Sequence, residues 1–152
     1  MIAKQIEIMR QPRIKILSIL ETFSLDQLNI IPAGFNNNIL WNLGHMIAAQ
    51  QGVCYKRAGL DTWVSDSFFQ AYKPDTKPEG YISEEQFDEI KELLMTSLDQ
   101  LETDLHAGIF TNYPAWTTRY GAEIRDINDA IAFLPFHEGL HVGYIMGLRK
   151  LV

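Results

Sequence analysis

The fold is decided in residues 126–151, DINDAIAFLPFHEGLHVGYIMGLRKL. This stretch has the apolar periodicity of a helix, and Asp126 or Asn128 can cap it by accepting backbone N–H groups of the first turn. His137 and His141 are four residues apart, so they lie one turn apart on the same helix face. The sequence therefore predicts a long helix that presents a pair of imidazoles.

Three further segments repeat apolar residues at the spacing of an amphipathic helix. They cover about residues 2–22, 38–58 and 83–106. Pro12 lies inside the first segment and predicts a kink there, because the apolar stripe continues on both sides of it. Together with residues 126–151, these segments predict four long helices.

Local signals mark the ends of these helices. Asn36 and Asn37 precede the second segment as candidate N-caps, and Gly59 follows it as a stop. The third segment opens with the capping-box pattern Ser83-Glu84-Glu85-Gln86 and is followed by Gly108. Both segments are therefore predicted to end at a glycine.

The connections between the four helices are long and rich in aromatic residues. They cover residues 23–37, 59–82 and 107–125, which is more than a helix-to-helix turn needs. Long connections permit crossover topologies and tend to carry function where they lie over a site. We expect an all-α four-helix bundle with long crossover connections, formed as a single domain over residues 1–152.

Composition and charge argue against several classes of function. The chain has 152 residues, 47% of them hydrophobic, and a net charge of −6 without a dense Lys/Arg cluster, so nucleic-acid binding is not expected. Its one cysteine, Cys54, cannot form an intramolecular disulfide. The sequence has no signal-peptide pattern and no apolar run of membrane-spanning length. We expect a cytoplasmic protein with no membrane partner.

Two interpretations fit the histidine pair. Imidazoles one turn apart can bind one metal ion. Their neighbours are apolar, so their face is expected to point inward, where unliganded imidazoles are costly because each has two ring nitrogens to satisfy. From spacing alone, metal ligands and hydrogen-bonded core histidines fit His137 and His141 about equally well.

A third histidine, His45, lies in the apolar run Leu40-Trp41-Asn42-Leu43-Gly44-His45-Met46-Ile47-Ala48. A single histidine in such a run is more often a satisfied core residue than a ligand. Gly44 weakens the helix by about 1 kcal/mol relative to alanine, which indicates that another helix or loop approaches closely there. If the second and fourth helices are neighbours, three imidazoles converge.

Other reactive side chains are predicted to lie outside this site. His106 ends the third helix, where its positive charge favours the helix dipole. Cys54 lies about 180° around the second helix from His45 and is expected to be a small buried hydrophobe. Glu138 points about 100° away from His137 around the helix, so we expect it beside the site or on the surface, not as a ligand.

Two motifs give the chain a family resemblance. The segment Asn38-Ile39-Leu40-Trp41-Asn42-Leu43-Gly44-His45 resembles the second-helix motif of the DinB-like superfamily. The segment His137-Glu138-Gly139-Leu140-His141-Val142-Gly143 resembles its fourth-helix motif. The turn Tyr120-Gly121 before Asp126-Ile127 and the loop Leu25–Pro32 also fit, so the resemblance covers nearly the whole chain.

The resemblance implies a bundle of unusual connectivity with a metal site formed by His45, His137 and His141. It implies a divalent ion, zinc or nickel before iron, manganese or cobalt. Characterised members include S-transferases that use low-molecular-weight thiols such as bacillithiol or mycothiol, and a maleylpyruvate isomerase; homodimers are common. Pro135 departs from the family pattern, because it removes a backbone hydrogen bond near His137 and can re-aim the pair.

Three functions are open at this point. The first is a metal-dependent enzyme whose three-histidine site activates water or a small thiol for a small-molecule substrate, as a thiol S-transferase would. The second is a non-catalytic, stress-related protein that binds a metal or small ligand in the same pocket. The third is a purely structural bundle whose histidines are core residues.

Overall fold

Four long helices form the protein in a computed structural model that describes residues 2–152. The helices are α1 (Ile2–Leu20), α2 (Leu25–Asn29), α3 (Ile39–Gln51), α4 (Asp66–Tyr72), α5 (Glu84–Ala107) and α6 (Ile127–Leu148). A π-helical turn at Gly52–Lys56 continues α3, and a hairpin of β1 (Trp116–Thr117) and β2 (Glu123–Ile124) precedes α6. The predicted all-α fold is confirmed.

The four long helices have a crossed connectivity. Helix α1 packs against α5 and α6, and α3 packs against the same two helices on the other side. Helices that follow each other in the chain, α1 then α3 and α5 then α6, therefore lie diagonally across the bundle. The connections from α1 to α3 and from α5 to α6 therefore cross the bundle, as expected from their length, whereas the connection from α3 to α5 joins neighbouring helices.

Helix α3 lies at the centre of this arrangement, because all 13 of its residues are buried. It contacts α4 in addition to α5 and α6, so other helices cover most of its surface. The apolar residues of α3 supply much of the larger core cluster. Its polar residues, among them Asn42, His45 and Gln50, must find hydrogen-bond partners inside the protein.

The helix ends agree with the predictions in part. Ser83 and Gln86 form the predicted capping box of α5, and Gly108 ends that helix at φ 68°. The N-cap of α3 is Asn38, whose side chain accepts from Trp41 N at 2.8 Å, so the prediction of Asn36 or Asn37 was wrong. Asn38 holds this position because it is the last residue with extended backbone before the helix.

Two prolines lie inside long helices without ending them. Helix α1 runs through Pro12 and α6 runs through Pro135. Of the two candidate caps of α6, Asp126 accepts from the N–H groups of Asn128 and Asp129. The first segment is therefore one helix, and Pro135 does not prevent α6 from continuing past His137.

Helix α4 and the hairpin lie in segments that the sequence indicated only as loops. Ser65 caps α4, since its hydroxyl accepts from Phe68 N at 3.1 Å. A helix of 7 residues is too short to show a periodicity of its own. No helix in the described part of the chain is both long and apolar enough to cross a membrane.

Candidate metal centre

Three imidazoles meet between α3 and α6. The ring centroid of His45 lies 5.4 Å from that of His137 and 4.6 Å from that of His141. The rings of His137 and His141 are 4.7 Å apart. One nitrogen of each ring lies within 4.8 Å of the other two, so the three residues could hold one metal ion. The convergence predicted for neighbouring second and fourth helices is present.

Backbone and amide oxygens fix the orientation of two of these rings. The Nδ1 of His45 is 2.7 Å from the carbonyl oxygen of Tyr72, and the Nδ1 of His141 is 2.9 Å from Oδ1 of Asn42. The amide N–H groups of Asn42 donate to Oδ1 of Asn37 and to the carbonyl oxygen of Asn38, which leaves Oδ1 of Asn42 as the acceptor. Since both oxygens only accept, each Nδ1 carries the proton and each Nε2 keeps a lone pair.

The ring of His137 lacks the Nδ1 hydrogen bond that the rings of His45 and His141 make. Its Nδ1 is buried and has no hydrogen-bond partner within residues 2–152. A buried polar nitrogen without a partner is costly, whereas coordination of a metal ion satisfies a ring nitrogen. Neutral imidazole nitrogens are also the ligands that divalent transition metals favour. The donor set of these three histidines therefore fits such an ion.

Burial keeps all three imidazoles neutral at pH 7. Desolvation lowers the pKa of His137 to about 4, and repulsion from His45, when that ring is protonated, and from Arg119 acts in the same direction. Desolvation, with His45 and His137 as further causes, lowers the pKa of His141 to about 3. Desolvation also lowers the pKa of His45, against the hydrogen bond to Tyr72. A neutral imidazole is the form that binds a metal ion.

Close packing of α4 on α3 positions the acceptor of His45. A Cβ on Gly44 would lie 2.5 Å from Cδ1 of Tyr72, so only glycine lets the tyrosine ring approach. The ring of Trp41 stacks on His45 at a centroid distance of 4.8 Å and an angle of 13°. The close approach predicted at Gly44 is confirmed, and its partner is the short helix that the sequence did not reveal.

The histidines open into a cavity of about 740 Å³, which is large enough for a small ligand. Its wall includes Trp116 and Arg119 from the hairpin region, Phe69 from α4 and Phe133 from α6. Residues of the long connections at 59–82 and 107–125 therefore line the same cavity as the histidines. If the three histidines bound an ion, one coordination position would stay open to the cavity, as is typical of catalytic metal sites.

Glu138 does not belong to the histidine cluster, as predicted, but the expectation that it lies beside the site or on the surface was wrong. Its carboxylate is buried and pairs with the guanidinium of Arg13, including a bond from Nε at 3.0 Å. Arg13 also donates to the carbonyl oxygen of Leu94 at 2.6 Å and to Oε1 of Gln50 at 3.1 Å. Residues of α1, α3, α5 and α6 thus meet in one buried polar network. Arg13 lies on the apolar stripe of α1 between Met9 and Ile16, which was the available signal for it.

The remaining reactive residues lie apart from the three histidines. His106 is exposed in the last turn of α5, with Nδ1 2.8 Å from the carbonyl oxygen of Glu102. Cys54 is fully buried in the second core cluster, and desolvation raises the pKa of its thiol. Neither residue joins the cluster, in agreement with their predicted positions outside it.

The chain matches a known protein family over most of its length. The family model of the DinB superfamily matches residues 9–145, which include all three histidines. No curated protein and no solved structure gives a significant match.

Proposed function

The chain belongs to the DinB superfamily, and from this premise we propose that it is a metal-dependent enzyme acting on a small molecule. His45, His137 and His141 would hold one divalent ion and leave a position open to the cavity. The observation that supports this most is the convergence of three imidazoles, two of them with Nδ1 engaged by an oxygen acceptor and Nε2 left free.

A divalent ion at this position would supply the acidity that converts a bound water or small thiol to its nucleophilic form. The protein's own residues would orient the histidine rings and enclose the site. The carbonyl of Tyr72 and the amide of Asn42 hold two rings in one tautomer, and Trp41 covers one side of His45. The cavity provides room for a second reactant, so thiol S-transfer is the specific reaction that we propose first.

Metal analysis tests the assignment of the ligands. Protein purified without a histidine tag is expected to carry about one divalent ion per chain, with zinc and nickel ahead of iron, manganese and cobalt. The triple variant His45→Ala, His137→Ala, His141→Ala should lose it, whereas the matched control His106→Ala should keep it. Equal metal content in the triple variant and the wild type would overturn the proposal.

A non-catalytic binding function is the second candidate. Among the described residues, the cavity wall contains one carboxylate, Asp75, and it is paired with Arg119 at 2.8 Å, so no unpaired carboxylate stands beside the histidines to move a proton. Turnover of an electrophile by a small thiol, lost on removal of the metal and regained on its return, supports the enzyme. Metal-dependent ligand binding without turnover supports the binding protein.

We also propose that two copies of the chain pair through the exposed face of α6. Phe136, Leu140 and Tyr144 are exposed there, with Gly143 and Gly147 beside them. No charged side chain is exposed between Phe136 and Gly147. Two chains of net charge −6 can meet on such a face without bringing like charges together.

A single domain over residues 1–152 and a cytoplasmic location stay predictions from the sequence.

A further inference from the structure

The guanidinium of Arg13 uses all of its hydrogen-bond donors. Its five N–H groups meet five acceptors, and five is the full number of donors that an arginine side chain has. The acceptors are both carboxylate oxygens of Glu138, Oε1 of Gln50, Oγ of Ser97 and the carbonyl oxygen of Leu94. They come from α3, α5 and α6, whereas Arg13 belongs to α1. The plane of the guanidinium is therefore fixed against three other helices at once.

Two of these acceptors lie on the helices that carry the three histidines. Glu138 directly follows His137 on α6, and Gln50 lies five residues after His45 on α3, which is about 7.5 Å along the helix axis. Nη2 of Arg13 donates to Oε1 of Gln50 at 3.1 Å and also to Oε1 of Glu138. One nitrogen of Arg13 thus joins α3 to α6 close to the histidines.

The side chain of Gln50 is held from a second direction. Its Nε2 donates to the carbonyl oxygen of Ser97 at 2.9 Å, and its Oε1 accepts from the hydroxyl of Ser97 at 3.1 Å. Gln50 and Glu138 are both buried. Neither can turn away from Arg13 without leaving a buried polar group unpaired, which is costly.

Stability alone does not require an ion pair at this position. Breaking a buried pair is costly, but replacing both partners with apolar side chains of similar volume is often neutral or stabilising. What the polar pair adds is direction, because apolar packing is not directional, whereas the planar fork of an arginine requires its acceptors at particular positions. The network around Arg13 therefore sets how α6 is rotated and shifted relative to α3.

A metal site formed by the three histidines depends on this relation between the two helices. A divalent ion binds imidazole nitrogens at about 2.0–2.1 Å, and its ligands must be held to within about 0.5 Å. His45 belongs to α3, whereas His137 and His141 belong to α6, so a rotation of α6 changes two of the three distances between the rings. The bond from His141 to Asn42 links α3 and α6 on the side of the cavity, and Arg13 links them on the side of the bundle centre.

We propose that Arg13 is a positioning residue for the histidine site. By joining Glu138 to Gln50, it fixes α6 against α3 and keeps the imidazoles at the spacing of metal ligands. Arg13 is not part of the described cavity wall, so it acts only through the two helices. The inference rests on the proposed function, because this spacing matters for function only if the histidines bind a metal ion.

Replacing both partners of the ion pair separates positioning from stability. The double variant Arg13→Met, Glu138→Met leaves the net charge unchanged and puts two apolar side chains in place of the pair. Its resistance to urea in the metal-free form is expected to stay close to that of the wild type, whereas its dissociation constant for Zn²⁺ should rise about tenfold. Addition of Zn²⁺ to chelator-treated protein, in competition with a chromophoric chelator, measures this constant.

Bound Co²⁺ reports on the arrangement of the ligands themselves. Its visible absorption depends on the number and geometry of its ligands, so loss of a contact that only stabilises the fold leaves the spectrum unchanged. We expect the double variant, fully loaded with Co²⁺, to give a spectrum different from that of the wild type.

Leu28→Ala is the control for a loss of stability without a change in position. Leu28 is fully buried in α2, which carries neither a histidine nor a residue of the network around Arg13. Its truncation leaves a cavity and destabilises the fold, but the folded variant should bind Zn²⁺ with wild-type affinity. Arg13→Lys is a second test, because it keeps the charge and loses the planar fork, and it should also weaken Zn²⁺ binding.

Two results rule out the positioning role. The first is wild-type Zn²⁺ affinity and a wild-type Co²⁺ spectrum in the folded double variant, or in Arg13→Lys if the double variant does not fold. The second is an equal loss of Zn²⁺ affinity in Leu28→Ala, which would assign the effect to lost stability.

The same variants distinguish a failure of this inference from a failure of the proposed function. If the wild type binds Zn²⁺ through its three histidines and the double variant binds it equally well, the proposed function stands and the inference falls. If the wild type binds no Zn²⁺, the proposed function fails, and ¹⁵N NMR of the imidazoles in metal-free protein decides the inference. Signals of the three histidines that move in the double variant but not in Leu28→Ala support positioning by Arg13, and unchanged signals exclude it.

Discussion

Helix α6 carries two adjacent polar residues that have opposite surroundings. His137 faces the cavity with two other imidazoles, and its buried Nδ1 has no partner among the described residues. Glu138 faces the bundle centre, where Arg13 neutralises it and a side chain or carbonyl from every long helix completes the network. One turn of α6 therefore contributes to two polar clusters. We call the network around Arg13 and Glu138 the closed cluster and the three histidines at the cavity the open cluster.

The difference shows what each cluster contributes. In the network around Arg13, the polar groups bond to one another, so nothing is left over for a ligand and the network joins four helices. In the histidine cluster, oxygen acceptors engage one nitrogen of two rings and leave the other nitrogen free. A buried polar group that lacks a hydrogen-bond partner indicates a binding site. A buried polar group whose hydrogen bonds are all made indicates a structural role.

Breaking the closed cluster is expected to have the largest effect on stability. Glu138→Ala leaves the guanidinium of Arg13 buried without its counter-charge, which should lower the free energy of unfolding by about 3–5 kcal/mol. Urea unfolding of metal-free protein measures this, with the exposed Glu92→Ala as the matched control. A loss no larger than that of the control would mean that Glu138 and Arg13 contribute little to joining the helices.

Gly44 lets α4 pack beside the histidine cluster, and its substitution is the next largest expected effect. A Cβ in Gly44→Ala would push the ring of Tyr72 away and move the carbonyl that accepts from His45. We expect a loss of about 1–3 kcal/mol of unfolding free energy together with weaker metal binding. Gly139→Ala is the control, because a Cβ there meets no atom within 4 Å. Equal behaviour of the two variants in unfolding and metal titration would contradict this role of Gly44.

The sequence revealed features that depend on local spacing. The capping box at Ser83, the stop at Gly108 and the pair His137 and His141 are each defined within one or two helical turns. His45 joined the pair through the family resemblance, because nothing local shows which helix faces α6.

Features that depend on distant partners were missed. Arg13 and Glu138 are 125 positions apart, so no local pattern predicts their ion pair. The acceptor of His45 belongs to α4, whose 7 residues show no periodicity, and that acceptor is a backbone carbonyl, which any residue type could supply. The cap of α3 was misplaced because Asn36, Asn37 and Asn38 are chemically identical, and only the backbone conformation distinguishes them.

The open cluster should make metal-free stability depend on pH. The ordinary pKa of histidine is 6.5, and burial lowers it to about 4 in His137 and about 3 in His141. Below pH 6.5 the unfolded chain therefore binds protons that the folded chain does not, so stability falls as the pH drops towards 4. Each shift corresponds to about 2 kcal/mol between pH 7 and pH 5, and solvent screening at these partly buried rings reduces the sum of about 4 kcal/mol to an expected loss on the order of 2 kcal/mol.

Thermal unfolding of chelator-treated protein across this pH range measures the effect. The double variant His137→Leu, His141→Leu should show a flatter dependence, whereas His106→Ala should follow the wild type because His106 is exposed. A steep dependence in the double variant would assign the proton uptake to other groups.

The smallest expected effect concerns the face of α6 that turns away from both clusters. A Cβ at Gly143 meets no atom within 4 Å, so within one chain Gly143→Ala should stabilise the helix by about 0.5–1 kcal/mol. If two copies pair on this face, the same methyl group separates their helices and weakens the dimer. We expect both results, a raised melting temperature at low protein concentration and a larger dimer dissociation constant by light scattering. Stabilisation without any change in association would remove this face from the proposed interface.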